Sequence, residues 1–390
     1  MKRFVVIGSA LVVAAVAVLV LSMWRNHRAA PANATDERVA VSAILGSAET
    51  TGYARALGPH DFVFPADHGP HPGFRNEWWY FTGNLATAAG RRFGYQLTFF
   101  RIALAPAEMA SPSAWRTRQI YLANFALTDA KANRFHAFEQ SSRAALGLAG
   151  ARAEPPKVWL QDWSAVALDA EGKRWHLHAR RDGIAIDLDV QSHRPPVLQG
   201  DNGLSQKSAA PGNASYYYSL PRMQTTGTVR IGAELYAVKG LSWLDREWST
   251  SALGPDQVGW DWFALQFDDG RALMFYQLRR RDGNTDRFSA GTLVDANGRV
   301  HRLTRDDVRI EVLDDWNSPA SGVRYPSRWR LRVPSQAIDV EVSPLIAAQE
   351  LRLSVDYWEG AVQFRGGAKG NEAAGRGYVE LVGYAKRPTP

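Results

Sequence analysis

Two carboxyl groups lie among tryptophans in the segment SWLDREWS, residues 242–249. Asp245 and Glu247 are two residues apart, so in a strand their side chains share one face. Arg246 and Trp248 then share the opposite face. A carboxyl group among indole rings is poorly solvated, which raises its pKa and lets it act as a general acid at neutral pH. The segment predicts acid catalysis by Asp245 or Glu247; the alternative is a buried carboxylate–arginine pair with a structural role.

A third carboxyl group precedes a run of aromatic residues in RNEWWYFTGNL, residues 75–85. In a strand, Trp78 and Tyr80 share one face and Glu77 lies on the other. Both faces are bulky, which is expected of a strand in a small barrel. Glu77 therefore marks the polar end of an apolar pocket or, alternatively, pairs with Arg75 or Arg101 at a barrel mouth.

The aromatic segment has a relative later in the chain. WWYFTGNL at 78–85 resembles WDWFALQF at 260–267, and each segment is followed by a Gly-containing loop and the tripeptide Tyr-Gln-Leu. The matched positions are Trp78 with Trp260, Tyr80 with Trp262, and Tyr95 with Tyr276. Two matched hairpins predict two structurally related domains, and chance similarity between aromatic-rich strands is the alternative.

The chain lacks the signatures of several common enzyme classes. It contains no G-x-S-x-G, no H-E-x-x-H, no phosphate-binding glycine loop and no cysteine, which disfavours common serine hydrolases, zincins, nucleotide enzymes and thiol enzymes. His176 and His178 share one strand face, but no third ligand follows at a metal-binding spacing. We therefore expect local hydrogen bonding there, and we predict neither a metal site nor a cofactor.

The chain is basic, with a net charge of +7. Its arginines are scattered, and we find no nucleic-acid-binding motif, so we predict no nucleic-acid partner. An anionic membrane surface is the alternative use of the positive charge.

The N-terminus predicts export. Lys2 and Arg3 precede the uncharged run Phe4–Trp24, which as a helix would span about 30 Å and cross a bilayer. We expect an uncleaved anchor in the inner membrane, with the body facing the periplasm. The alternative is a cleaved signal peptide whose mature chain begins at Thr35 and is periplasmic or secreted.

From Phe62 onward, short runs of alternating apolar and polar residues predict strands. Turn pairs such as Asp182-Gly183 and Asn297-Gly298 separate them and favour tight hairpins. Many short strands favour antiparallel barrels or sandwiches. The expected order is an anchor or signal peptide at 1–24, a linker at 25–58, and domains at 59–235 and 236–390.

Several long segments resemble the AttH / carotenoid 1,2-hydratase (CrtC-like) family, whose members are often described as predicted secreted hydrolases. They include DHGPHPGFRNEWWYFTGNL, GDNGLSQK, YYYSLPRMQTTGTV, GLSWLDREWS and GWDWFALQFDDGRALMFYQLRR, and the resemblance covers about residues 55–387. It implies an all-β fold of two lipocalin-like antiparallel β-barrel domains, here preceded by an N-terminal hydrophobic helix. It also implies an apolar substrate.

The family's functional residues are matched only in part. The resemblance aligns Asp245, Trp248 and Tyr276 with functional positions of the carotenoid hydratases. It places Arg246, Glu247 and Leu278 where those enzymes have His, Asn and Asp. The departures separate this chain from carotenoid hydration itself and leave the barrel prediction untouched.

We therefore expect an exported lipocalin-like protein that binds a long apolar ligand, isoprenoid or acyl. The predicted catalytic residues are Asp245, Glu247 and Tyr276. The predicted binding residues are Glu77, Trp78, Tyr80, Tyr95, Tyr217, Arg246, Trp248, Trp260 and Trp262. One expected function is a hydratase or hydrolase that works by acid catalysis. The other is a non-catalytic carrier or accessory protein, with an ABC transporter permease as its candidate partner.

Overall fold

The computed structural model describes residues 50–107, 113–251, 253–368 and 371–384, and these residues form an all-β body. Its helical segments are two short 3₁₀ turns, Ala66–His68 and Pro334–Gln336. Among the described residues, no helix is long and apolar enough to span a membrane. The predicted anchor Phe4–Trp24 lies outside the described residues and stays a prediction.

The first of two barrel-like sheets contains thirteen strands. They are β1 Asn76–Ala86, β2 Arg92–Ala103, β3 Gln119–Asp129, β4 Arg134–Arg143, β5 Ala149–Ala153, β6 Pro156–Leu160, β7 Trp163–Ala167, β8 Arg174–Arg181, β9 Ile184–Ser192, β10 Val197–Leu198, β11 Leu204–Gln206, β12 Ala214–Ile231 and β13 Glu234–Ser251. The order across the sheet is β4-β3-β2-β1-β13-β12-β9-β8-β7-β6-β5, and β10 and β11 pair with β12.

The second barrel-like sheet contains ten strands. They are β14 Gln257–Phe267, β15 Ala272–Arg280, β16 Ala290–Val294, β17 Val300–Thr304, β18 Arg309–Asn317, β19 Arg324–Val333, β20 Ile338–Pro344, β21 Glu350–Arg352, β22 Asp356–Ala368 and β23 Asn371–Val382. The order is β17-β16-β15-β14-β23-β22-β20-β19-β18, and β21 pairs with β22.

The two sheets share one plan at the position of the predicted repeat. In each sheet the first strand pairs with the second and with the last: β1 with β2 and β13, and β14 with β15 and β23. The matched hairpins therefore occupy equivalent strands, as predicted. The tight turn predicted at Asp182-Gly183 is also present, with positive φ at both residues between β8 and β9.

The matched tyrosines do not occupy equivalent positions within these hairpins. Tyr95 lies opposite Gly83, whereas Tyr276 lies opposite Trp262. The second hairpin is shorter, so the position that corresponds to Tyr276 in the first is Thr98, which faces Tyr80. The repeated tripeptide thus identified the equivalent strands correctly, but the register that it predicted between them was wrong.

Each sheet fills its own interior. Trp79 and Phe81 of β1 lie in an apolar cluster built from the first sheet. Phe263 of β14 lies in the corresponding cluster of the second sheet. Strand side chains alternate between faces, so Trp78 and Tyr80 point out of the first interior and join Trp262 in a third cluster, shared by both sheets.

The outer faces of the two sheets meet closely in places. A Cβ atom added to Gly94 of β2 would come within 2.3 Å of the Cβ of Ala361 in β22. The Asn84 amide donates to the Gly377 carbonyl oxygen at 2.8 Å. The contact thus depends on the missing side chain of Gly94 as well as on polar bonds.

The first sheet continues further along the chain than the predicted domain boundary at residue 235. That residue lies inside β13, which pairs with β1 and β12 of the first sheet. The sheets divide between Ser251 and Gln257, because SWLDREWS belongs to the strand that closes the first sheet. The division of the chain into domains stays a prediction.

Candidate active site

A cavity lies where the outer faces of the two sheets meet. It contains about 1190 Å³ of space, counting the part open to solvent. Nine of the residues predicted from the sequence line it: Glu77, Trp78, Tyr80, Tyr217, Asp245, Glu247, Trp260, Trp262 and Tyr276. They come from both sheets, so neither sheet alone forms this lining.

Three predicted binding residues do not line the cavity. Tyr95 lies in the interior of the first sheet, where its hydroxyl is 2.6 Å from that of Ser242. Arg246 and Trp248 lie on the opposite face of β13 from the cavity, as the alternation predicted. Trp248 stacks on His71 with ring centres 3.7 Å apart. These three residues are therefore not part of this cavity's lining, and their role in binding stays a prediction.

Asp245 is buried in the cavity wall and has no arginine partner among the residues that the structure describes. Its carboxyl group accepts hydrogen bonds from the Tyr217 hydroxyl at 2.5 Å, from the Trp243 indole at 2.7 Å and from the Ser219 hydroxyl. Burial raises the pKa of Asp245 to about 7, although these donors oppose the shift. The group can therefore hold a proton near neutral pH and deliver it.

Glu247 lies on the same face but in a different environment. Its Oε1 is 3.2 Å from the Lys207 ammonium and also accepts a bond from the Ser215 hydroxyl. Burial acts to lower the pKa of Lys207, but Glu247 and Tyr276 outweigh it and the pKa is raised. Lys207 also lies 3.9 Å from the centre of the Tyr276 ring. Its ammonium thus stays charged beside the carboxyl group of Glu247.

The neighbouring carboxyl groups of β13 are therefore suited to different tasks. Asp245 is desolvated without a cation, and Glu247 is paired with one. Environments that separate two carboxyl groups in this way provide an acid and a base in one site. The predicted carboxylate–arginine pair is absent from the described part of β13, where Arg246 bonds to Glu77 instead.

The second sheet contributes two carboxyl groups that the sequence analysis missed. Glu380 of β23 lines the cavity and accepts a hydrogen bond from the Trp260 indole at 3.1 Å. Burial raises the pKa of Glu380 to about 7, and Asp245 and Glu247 add to the shift. Glu359, opposite Glu380 on β22, accepts a bond from Tyr80, and burial raises its pKa well above the usual value.

The missed residues left only weak traces in the sequence. Glu359 belongs to the segment YWEG, and Lys207 ends the segment GDNGLSQK. A single charged residue within an apolar strand, such as Glu380 in GYVELVG, is the signal that could have identified the second wall.

Aromatic rings line the space between these groups. The Trp262 indole donates to the Tyr217 hydroxyl at 3.2 Å, and its ring meets the Tyr80 ring edge-on with centres 5.2 Å apart. The Tyr276 hydroxyl is 2.9 Å from the Ser205 hydroxyl. The lining is thus mostly apolar with a few oriented polar groups, which is typical of small-molecule sites.

Glu77, which lines the cavity, is held in a buried ion cluster. Its carboxylate lies 2.9 Å from the Arg101 Nε, 2.7 Å from an Arg246 nitrogen and 2.6 Å from the His71 Nδ1. Burial acts to raise the pKa of Glu77, but the surrounding cations outweigh it and hold the pKa well below its usual range. Glu77 therefore has the structural pairing with Arg101 that was the alternative to a role in binding.

No group of three or more His, Cys, Asp or Glu side chains among the described residues is arranged to hold a metal ion. His176 is 2.8 Å from Asp189, and His178 is 3.0 Å from Asp187. These histidines make the local hydrogen bonds that were expected of them.

Sequence comparison identifies related proteins. A family profile described as AttH-like matches residues 55–384. The dehydratase asqC of Emericella nidulans is 24% identical over 217 residues, which are 51% of this chain and 58% of that protein. Kievitone hydratase of Fusarium solani subsp. phaseoli is 24% identical over 222 residues, 53% of this chain and 59% of that protein. The chain thus spans less than two thirds of either relative.

Solved structures share the fold. A crystal structure of an AttH candidate from Nitrosomonas europaea has a TM-score of 0.75 and 36% identity, over 85% of this chain and 100% of that chain. Kievitone hydratase from Nectria haematococca has a TM-score of 0.64 and 16% identity, over 85% and 95% of the two chains. At that identity the second likeness concerns the fold alone.

Proposed function

The chain belongs to the AttH-like family, and from that premise we propose that it is a hydratase or dehydratase of an apolar substrate held between its two sheets. The observation that carries the proposal is Asp245, a buried carboxyl group with a pKa of about 7 in the wall of an aromatic cavity. Two relatives bear the names hydratase and dehydratase, which is consistent with proton transfer at such a group.

The proposed reaction uses Asp245 and Glu247 as an acid–base pair. In hydration, the O–H bond of Asp245 breaks and its proton forms a C–H bond at one alkene carbon. Water adds to the other carbon and gives a proton to the Glu247 carboxylate. In dehydration the same steps run backwards: protonated Glu247 gives its proton to the departing hydroxyl, and ionised Asp245 accepts the proton of the adjacent carbon. Hydration therefore moves one proton from Asp245 and one to Glu247, and dehydration returns both.

Aromatic faces favour the positive charge that develops on the substrate. Tyr276 and Trp262 line the cavity between the carboxyl groups of the two sheets. Trp248, predicted to be a binding residue, does not line this cavity and stacks on His71 instead. The isoprenoid or acyl nature of the ligand is part of the proposal, and the apolar lining supports it.

Substitution of the two carboxyl groups tests the proposal. Asp245→Asn keeps the size of the side chain and removes the proton that it delivers, and Glu247→Gln removes the base. We expect each change to lower turnover of the ligand extracted with the protein by about 10²–10⁴-fold, while ligand affinity stays within several-fold because it comes from buried apolar area. Turnover by the unaltered protein in the hydration direction should fall as the pH rises above about 7, where Asp245 loses its proton.

The control is Asp187→Asn, which makes the same chemical change at an exposed site on β9. It should leave turnover unchanged. Full turnover by folded Asp245→Asn and Glu247→Gln proteins would exclude both residues as the acid and base.

One observation favours the alternative function, a carrier or transporter accessory protein. Three donors point at Asp245, and each of them stabilises its ionised form. An ionised Asp245 would orient a bound ligand and could not protonate it. Purified protein that contains one apolar ligand molecule per chain and never converts it would support the carrier function.

Export is a further part of the proposal. The run Phe4–Trp24 supports a membrane anchor, and an exported position would bring the cavity near an ABC transporter permease. The anchor is a prediction independent of the cavity, and it needs an experiment of its own.

A further inference from the structure

One side of the cavity contains polar groups that bond to nothing in the described structure. Asn76 begins β1 and lines the cavity with only 2% of its surface exposed. Neither its amide nitrogen nor its amide oxygen has a hydrogen-bond partner among the described residues. Ser249, fully buried, is the register partner of Asn76 on β13, and its hydroxyl also lacks a described partner.

These two residues face the cavity side of their strands. Asn76 shares a face with Trp78 and Tyr80, and Ser249 shares one with Asp245 and Glu247, since strand side chains alternate. Lys207 and its partner Glu247 belong to the same lining as Asn76. This side of an otherwise aromatic cavity is therefore polar.

Unpaired buried amides and hydroxyls are unfavourable. Leaving such a group without a partner costs about 1–3 kcal/mol, and native proteins contain few of them. Three such atoms on two facing residues indicate that a ligand satisfies them. An amide and a hydroxyl each donate and accept, so the matching group is one that also does both.

We infer that the substrate is not a bare hydrocarbon but an oxygenated apolar molecule whose hydroxyl or carboxylic acid group binds Asn76 and Ser249. This inference rests on the proposed substrate cavity and is independent of the chemistry at Asp245.

The position of this anchor sets where a bound molecule reacts. Ser249 is four residues from Asp245 along β13, which at the rise of a strand is about 13 Å. A substrate held by its oxygen at Asn76 and Ser249 extends along the aromatic wall and presents a carbon to Asp245 about that far from the anchored group. The fixed distance between Ser249 and Asp245 along β13 thus selects which carbon of the substrate reacts.

The test compares three probes of equal chain length: decan-1-ol, decyl methyl ether and decane. Their binding to the full chain is followed by displacement of 1-anilinonaphthalene-8-sulfonate. The alcohol donates and accepts, the ether only accepts, and the hydrocarbon does neither. We expect the alcohol to bind at least about tenfold more tightly than decane, with the ether between them.

Asn76→Leu and Ser249→Ala should remove that preference and leave decane binding unchanged or tighter. Leu278→Ala is the matched control, because it removes apolar lining and should weaken all three probes alike. Asn76→Leu should also keep or raise the unfolding temperature of the empty protein, since replacing an unpaired buried polar group by an apolar one is neutral or stabilising.

Two results would overturn the inference. One is equal binding of the three probes to the unaltered protein. The other is an Asn76→Leu protein that loses stability and keeps the preference for the alcohol, which would make Asn76 a structural residue. Neither result bears on whether Asp245→Asn abolishes turnover, so the anchor and the proposed reaction fail separately.

Discussion

At the scale of single residues, the proposed chemistry depends on whether Asp245 is protonated. Burial favours its protonated form, and three hydrogen-bond donors favour its ionised form. Burial prevails and raises the pKa of Asp245 to about 7. The protonation of Asp245 therefore contributes to the stability of the fold as well as to the proposed catalysis.

The pH dependence of unfolding measures this balance. The folded protein holds the Asp245 proton more tightly than the unfolded chain, whose Asp pKa is about 3.9. The stability that comes from protonated Asp245 is therefore fully present below about pH 4 and is lost as the pH rises through about 7. Asp245→Asn lacks this loss, so its free energy of unfolding should gain on that of the unaltered protein by roughly 4 kcal/mol between pH 4 and pH 8.

Urea unfolding of both proteins at the two pH values gives the comparison. The other titrating groups are common to both proteins. Because Asp245 adds to the pKa shift of Glu380, the comparison is made in a Glu380→Gln background. If the free energy of unfolding of Asp245→Asn instead falls relative to that of the unaltered protein as the pH rises, Asp245 is ionised in the folded state. That result would favour the carrier function.

Sequence alone predicted half of the acid–base arrangement. Asp245 and Glu247 are two residues apart, and a strand brings such a pair to one face whatever the rest of the fold. Lys207 and Glu380 reach the same cavity from other elements, and only the sheet topology brings them there. Local spacing therefore brought the two candidate carboxyl groups together, but it could not identify Lys207, the cation beside Glu247.

At the scale of elements, the close contact between β2 and β22 depends on a glycine. The Cβ of Gly94→Ala would lie 2.3 Å from that of Ala361, so the sheets must separate or one strand must shift. We expect a loss of about 1–3 kcal/mol in the free energy of unfolding, together with weaker binding in the adjacent cavity. Chemical denaturation and displacement of 1-anilinonaphthalene-8-sulfonate measure the two effects.

A double variant separates this contact from a general sensitivity to alanine. Gly94→Ala combined with Ala361→Gly restores the space and should recover most of the loss. Gly58→Ala is the control, because no atom lies within 4 Å of its added Cβ. Equal losses in the single and double variants would show that the contact with Ala361 is not responsible.

The strands and their alternation were predictable, and their register was not. Side chains alternate between the two faces of a strand, which correctly placed Trp78 with Tyr80 and Trp260 with Trp262. Tyr95 and Tyr276 follow in the same tripeptide but face different partners. The register depends on the length of each hairpin, and the repeated letters do not encode that length.

At the scale of the whole molecule, the predicted anchor would hold the body of the protein, and with it the cavity, at the membrane. If Phe4–Trp24 is an uncleaved helix, the intact chain should remain in the membrane fraction after a carbonate wash, because apolar burial does not depend on salt or charge. A matched variant with two arginines at Leu11 and Val12 should move the protein to the soluble fraction. A mature N-terminus at Thr35, read by sequencing, would contradict the anchor and identify a signal peptide.

The filled interiors of the two sheets have a consequence for evolvability. A lipocalin barrel that holds its ligand inside uses the same inward side chains to pack and to recognise, so a new specificity endangers the fold. Here the packed clusters of each interior and the lining between the sheets use opposite faces of the same strands. A mutational library confined to outward positions such as Trp78, Trp260 and Tyr276 should therefore alter ligand range while most members still fold, which makes this architecture a tolerant starting point for directed evolution.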